Sequence, residues 1–396
     1  MSALHVTRRS VLTSLVGLTT TAGCFESRES APEPTYGSAD SPWPMLGHDR
    51  RNTSSTGLTV PDDSLTARRV LRIGKPDRTD APIYASNRIL LARSETRSLT
   101  SGAFALEPGT GEQLWHNPDV VDYTTPSVYG ETAIFSGGAN TFAVDIETGR
   151  VYWRRNVGGS GFYQTHLKRD DRIVVRSGRR VVALDAYTGE TRWQSKELGV
   201  PYGLAADDDR IYVTTGGTDV PALRALEWTT GETAWEVEGI APVLYPVVSE
   251  GQVLYTDVET GTLWAFDAAS GERLWHYETV DADAPPAVSP DGETIFLSGI
   301  DEPQLHVVSA ANGTREWSVQ AQSAYQPLVT GESVFLAGYD IVERLSLSRR
   351  EVTDSIQFRG KVTSPLALGP YGPILIAQSA SSTYFAYVTT PEDDSE

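Results

Sequence analysis

The chain has 396 residues, 39% of them apolar, which is enough to bury one large core or two ordinary ones. Its 52 acidic residues outnumber 33 basic ones for a net charge of −19, a field that repels phosphates and argues against nucleic acid as a partner. The single cysteine, Cys24, excludes an intrachain disulfide and a cysteine-built zinc site.

Along the chain, HVTRRSVLTSLVGLTTTAGC (residues 5–24) comes first. Arg8 and Arg9 precede an apolar run, residues 11–23, that is too short to span a bilayer, and Cys24 closes it. This resembles a twin-arginine export signal ending in a lipobox, which makes Cys24 the expected point of lipidation and a membrane the expected site of attachment. Thr21 departs from the leucine usual in bacterial lipoboxes, and an export signal with an incidental cysteine is the competing reading. The signal is assigned to 1–23. Residues 24–42 are rich in Ser, Glu and Pro and read as a flexible tether, a propeller is assigned to 43–390, and 391–396 form an acidic tail.

From residue 65 onward, short stretches rich in Val, Tyr, Thr and Ile alternate with Gly and Pro, which predicts an all-β chain. One phrase, seen as FAVDIETGRVYW, recurs with a period of about 40 residues. Its turn glycine falls at Gly111, Gly149, Gly189, Gly231, Gly271 and Gly313, and four residues later stand Trp115, Trp153, Trp193, Trp235, Trp275 and Trp317. Four residues before the glycine stand Glu107, Asp145, Asp185, Glu227, Asp267 and Ser309. The acid is expected to accept hydrogen bonds from turn amides, the glycine to supply positive φ, and the tryptophan to wedge between neighbouring units. Two degenerate units, RLSLSRREVTD (344–354) and FAYVTTPE (385–392), bring the total to eight. Arg350 takes the glycine place in the first of these, and Asp354 takes the tryptophan place. The segments between phrases read strand, turn, strand, so each unit is a four-stranded blade. Eight blades are expected, with seven as the alternative. The last unit ends before its fourth strand, and LTARRVLRIG (65–74) is expected to supply it and close the ring.

The phrase A-x-D-x-x-T-G-x-x-x-W, with the lead-in WPMLGHDRRNTSSTG at 43–57, resembles the pyrroloquinoline quinone (PQQ)-type repeat propellers. That family includes quinoprotein alcohol and glucose dehydrogenases and the non-enzymatic BamB-like lipoproteins of outer-membrane assembly. The dehydrogenase branch implies PQQ on the axis, a calcium ion beside it and an Asp base. It also implies a cofactor clamp of Trp and adjacent cysteines, which the lack of any cysteine after Cys24 leaves without its disulfide half. No catalytic residue and no cofactor are assigned, and the six histidines show no metal spacing. The BamB-like branch implies a binding or scaffolding module, monomeric, with a protein partner that the sequence does not name. Its ligand mouth is expected at one end of the axis, where Tyr123, Tyr163, Tyr202, Tyr245 and Tyr325 recur at the starts of inner strands and offer ring faces and hydroxyls. The competing reading makes them packing residues.

Two surface features remain. Only four of the 33 bases are lysines, and an acidic, Arg-rich surface of this kind resembles those of halophilic proteins. Asn52 (N-T-S) and Asn312 (N-G-T) occupy glycan acceptor triplets and are expected to face the outside.

Overall fold

The computed structural model describes residues 33–37, 41, 43–60, 64–74, 78–79, 81–94, 101–120, 124–158, 166–216, 221–240, 244–278, 282, 284–299, 303–369, 372–378 and 383–389. Arg8, Arg9, Cys24, Tyr123, Tyr163 and the acidic tail lie outside them.

These residues form eight antiparallel sheets, the blades of a β-propeller, numbered here in chain order. In blade 2 the strands run Ser127–Tyr129, Thr132–Gly137, Asn140–Asp145 and Val151–Asn156 from one edge of the sheet to the other. The two middle strands are buried nearly throughout and read as apolar runs, whereas the last strand alternates, as in Thr233–Glu238 of blade 4. A strand covered on both faces has no polar side to show, while an edge strand has one.

The repeated phrase forms the turn between the third and fourth strands. Asp145 accepts the Glu147 and Thr148 amides at 2.9 and 2.8 Å, and the Gly149 amide donates to the Asp145 carbonyl at 2.9 Å. Just beyond the turn every such strand pair in blades 1 to 7 slips register by a bulge. A bulge re-aims the following side chain. In blades 1 to 5 that side chain is a tryptophan directed at the next blade's turn. Trp115 donates to the Ile146 carbonyl at 2.9 Å, Trp153 to Ala186 at 2.7 Å, Trp193 to Trp228 at 2.9 Å and Trp235 to Ala268 at 3.0 Å. Trp275 reaches Ala310 through Gln252, donating to its Oε1 while its Nε2 donates to the Ala310 carbonyl. Each ring also lies flat on the turn glycine of its neighbour. A Cβ on Gly231, at φ 71°, would sit 2.4 Å from the Trp193 ring. Glycine at this place therefore satisfies both a backbone conformation and a contact.

The degenerate blade 7 shows what happens when the letters change. Arg350 adopts φ 59° and its amide donates to the Ser346 carbonyl, so the turn survives without glycine, and its guanidinium lies 5.6 Å from the centre of the Trp317 ring. Asp354, in the tryptophan place, accepts from the Leu65 amide. A donor to the next blade has become an acceptor, and what it receives is the start of the N-terminal strand.

That strand, Thr66–Gly74, pairs antiparallel with Thr383–Thr389 from Thr66↔Thr389 to Gly74↔Thr383. Blade 8 is thus built from both ends of the chain, and its inner strand Ala367–Gly369 lies beside Ile83–Ala85 of blade 1. One departure concerns the tether expected at 24–42: the compact body begins at Glu33. Pro34 is buried, the Thr35 carbonyl accepts from Thr132 Oγ1 at 2.9 Å, and Tyr36 stacks edge-on against Tyr187 beneath the Lys168 ammonium. The aromatic ring at position 36 supplies the apolar surface that composition alone did not promise.

Candidate functional site

The axis of the ring is occupied by the lead-in segment, residues 43–58. Its carbonyls accept one backbone amide from inner strands around the ring: Pro44 from Val128, Arg50 from Ala206, Arg51 from Val248, Thr53 from Val288 and Ser54 from Val329. These donors belong to blades 2, 4, 5, 6 and 7, so the segment satisfies edges that would otherwise face an empty channel. Positive φ at Gly47, His48, Asn52 and Ser54 lets the segment coil tightly enough to do so.

Asn52 is the centre of this plug and corrects the expectation of a surface glycan. It is 0% exposed, and its Nδ2 donates to the Leu204 and Pro246 carbonyls at 2.8 and 3.0 Å. A glycan there would have to displace the inner strands of blades 4 and 5. Asn312, in contrast, lies exposed in its hairpin turn.

Above the plug is a cavity of about 250 Å³. It is lined by Tyr202, Tyr245 and Tyr325 from blades 4, 5 and 7, with Leu46 of the plug, Leu244, Pro285, Gln326 and Pro365 among the remaining walls. Three of the five mouth tyrosines therefore meet, and the other two lie outside the described residues. Gly203 makes room for this convergence, since a Cβ there would lie 2.1 Å from that of Tyr245. Their hydroxyls are largely consumed by the protein. Tyr245 donates to Gln326 Oε1 at 2.9 Å and Tyr325 to the Val362 carbonyl at 3.1 Å, while Gln326 Nε2 donates to the Asn52 and Pro286 carbonyls, both at 2.8 Å. What faces the cavity is mostly ring carbon, proline and leucine, together with Tyr202, whose hydroxyl is not among these bonds. Sequence periodicity finds the tyrosines but not Leu46 or Gln326, because neither repeats from blade to blade. A glutamine followed by proline in the place where blade 5 has Tyr245-Pro246 was the available signal.

Beside it, a second cavity of about 300 Å³ is lined by Gly299, Pro303, Gln322, Ser323, Gly338 and Tyr339, and shares Ala324 with the first.

One pair has the look of catalytic machinery. Ser127 Oγ lies 3.0 Å from His166 Nδ1 across blades 2 and 3. Both are buried, and burial together with the Arg176 charge pushes the imidazole down to about 3, so it stays neutral and serves the packing between blades.

The cofactor implied by the dehydrogenase branch does not fit these walls. PQQ carries carboxylates and its calcium asks for oxygen anions, yet no described residue lining either cavity is charged. Among the described residues no group of three or more His, Cys, Asp or Glu is placed to hold a metal.

A repeat β-propeller with a plugged axis and a recess whose described lining residues are uncharged is the class of protein defined by this geometry. The family profile described as outer membrane protein assembly factor BamB matches residues 100–202 and 177–300, and the chain belongs to that family of PQQ-type repeat propellers. BamB of Burkholderia pseudomallei is 25% identical over 255 residues, covering 59% of this chain and 65% of the relative, so the chain spans less than two thirds of that relative's length. Among solved structures, BamB from Moraxella catarrhalis superposes with a TM-score of 0.59 at 17% identity over 82% of this chain and 98% of that one. Quinohemoprotein alcohol dehydrogenase from Comamonas testosteroni gives 0.66 at 12% identity over 89% and 81%. At such identities the likeness is one of fold.

Proposed function

We propose that this chain is an exported propeller, lipid-anchored through Cys24 to the outer face of the cytoplasmic membrane of a salt-adapted cell, and that it works as a monomeric binding or scaffolding module. Its recess at the tyrosine mouth engages a protein partner. The observation that carries this reading is the chemistry of the recess: Tyr245, Tyr325 and Gln326 spend their hydrogen bonds on the protein, and no described residue lining the walls is charged. Such a recess holds an apolar group, and none of its described lining residues is a charged acid, base or activated nucleophile. The names carried by the BamB relatives support a role in assembling other proteins.

The alternative, a PQQ-dependent dehydrogenase of alcohols or sugars, draws on the likeness to the quinohemoprotein. Titration of the protein with PQQ and calcium in molar salt, followed by thermal shift and cofactor absorbance, separates the two. The binding-module reading expects no saturable stabilisation, and a saturable rise in melting temperature would replace it with the dehydrogenase. The anchor is tested separately: Cys24→Ser is expected to move the protein from the membrane to the soluble fraction, and retention on membranes would remove the lipid from the proposal.

A further inference from the structure

We infer that Asn312 is the acceptor of an N-linked glycan, and that the folded hairpin turn of blade 6 presents its amide for the transfer. The inference rests on the export proposed above, which brings the chain to the membrane enzymes and lipid-carried sugars that such a modification needs.

Blade 6 keeps the repeated turn but changes three of its letters. Gly313 has φ 72°, and its amide donates to the Ser309 carbonyl at 2.9 Å, as the turn glycines of blades 1 to 5 do to theirs. In those five blades the residue before the glycine is Thr or Ser, and its hydroxyl accepts the amide of the residue after the glycine at 3.1–3.3 Å. In blades 1, 2 and 5 the same hydroxyl donates to the acid four residues before the glycine. Blade 6 has Ser309 in place of the acid, Asn312 in place of Thr or Ser, and Thr314 where the others carry Glu or Arg. Asn312 Oδ1 takes over the amide of residue 314 at 3.0 Å and also accepts from the Thr314 hydroxyl at 2.7 Å. The acid that would face Nδ2 is gone, and among the described residues nothing accepts from that nitrogen. Both Asn312 and Thr314 are exposed.

This arrangement suits glycosyl transfer. An amide nitrogen is a poor nucleophile because its lone pair is shared with the carbonyl, and two donors on Oδ1 draw charge to the oxygen and make a proton on Nδ2 easier to remove. That proton passes to a carboxylate of the transferase. Nδ2 bonds to the anomeric carbon of a sugar carried on a polyprenyl phosphate, and the bond from that carbon to the phosphate oxygen breaks and releases the lipid phosphate.

Asn52 carries the same triplet in the opposite arrangement. Its Nδ2 is consumed by the Leu204 and Pro246 carbonyls, and the Ser54 hydroxyl, two residues on, donates to the Pro327 carbonyl at 2.6 Å. The proposed twin-arginine route carries folded chains, so a transferase at the outer face meets the two triplets as the fold leaves them, one offered and one sealed.

The protein is isolated from its native cells and digested with trypsin, and the peptides 52–68 and 274–315, each with one acceptor triplet, are read by fragmentation mass spectrometry. Peptide 274–315 is expected to be heavier by whole sugar residues placed on Asn312, and peptide 52–68 to be unmodified. Thr314→Ser is expected to keep the sugar and Thr314→Ala to lose it at least tenfold, in proteins whose melts match the parent, since the exposed threonine lies outside the contact between Gly313 and Trp275. A bare 274–315 peptide in protein that an external protease can reach overturns the inference and leaves export standing, whereas protein shielded in the cytoplasm removes both. Sugar that survives Asn312→Gln or Thr314→Ala also overturns it. A sugar on Asn52 does so too, because it would show addition to a chain not yet folded.

Discussion

At the scale of single residues, the most constrained contact is that between each tryptophan and the next blade's turn glycine. Trp193→Ala removes an interblade hydrogen bond and a large half-buried ring, and is expected to cost about 3 kcal/mol. Gly231→Ala is expected to cost about 2 kcal/mol or more, because the new methyl must both hold a left-handed conformation and displace the ring. The double variant separates these causes. With the ring gone only the backbone cost of about 1 kcal/mol remains, so denaturant melts of the four proteins must show the second substitution costing less than in the parent. Strict additivity would show that the ring yields freely. Asp185 makes a second test. Burial works against its charge, but the Thr188 amide and the Arg192 guanidinium outweigh it and hold the carboxyl below the usual carboxylate range. A depressed folded-state value means stability that is present above about pH 4, the unfolded carboxylate value, and is lost as pH falls through the folded one. The gap in melting temperature between parent and Asp185→Ala is therefore expected to close on acidification below pH 4, and a gap independent of pH would discard the charge as its source. Glycine and tryptophan were legible because repetition exposes them. Asn52 was not, since N-T-S reads the same in a loop and in a plug, and only the carbonyls of Leu204 and Pro246 tell the two apart.

At the scale of elements, the ring closes by two devices of unequal visibility. The N-terminal strand could be inferred from the sequence because the last blade lacked its fourth strand. The plug could not, because residues 43–58 have no strand period and bind through main-chain carbonyls, which carry no letter. The plug ties together five blades of the ring, so its loss should loosen the whole of it. Asn52→Ala leaves the Leu204 and Pro246 carbonyls buried without their donor and is expected to cost about 2–4 kcal/mol. Tyr202, Tyr245 and Gln326 stand on or beside the inner strands that the plug fastens, so the same variant is expected to weaken binding at the recess as well. Denaturant melts of parent and variant check the stability cost, and an unchanged melt would show that the blades hold the ring without this anchor.

For the molecule as a whole, the question is whether its acidity is a binding surface or an adaptation to solvent. Ion pairs are present, such as Arg50 with Asp208 and Arg210 with Glu227, and salt weakens pairs of this exposed kind. Against them stands the repulsion among an excess of carboxylates that no base can neutralise, 52 against 33. Salt shortens the reach of both, from about 10 Å at 0.1 M to about 3 Å at 1 M. Attraction in contact pairs acts over a few ångströms and is partly retained, whereas repulsion between separate blades acts over longer distances and is lost. The melting temperature is therefore expected to rise between 0.1 and 2 M potassium chloride. Exclusion of salt from the surface would also raise it, so the comparison needs a variant. Glu190→Gln with Glu272→Gln removes two exposed charges from turns of different blades without touching a side-chain bond described above. If repulsion is the cause, this variant melts higher than the parent at 0.1 M and the two converge at 2 M. If the two curves instead run parallel, with no advantage to the variant at low salt, the acidity does not act through self-repulsion, and the field around the recess becomes the better place to look for its purpose.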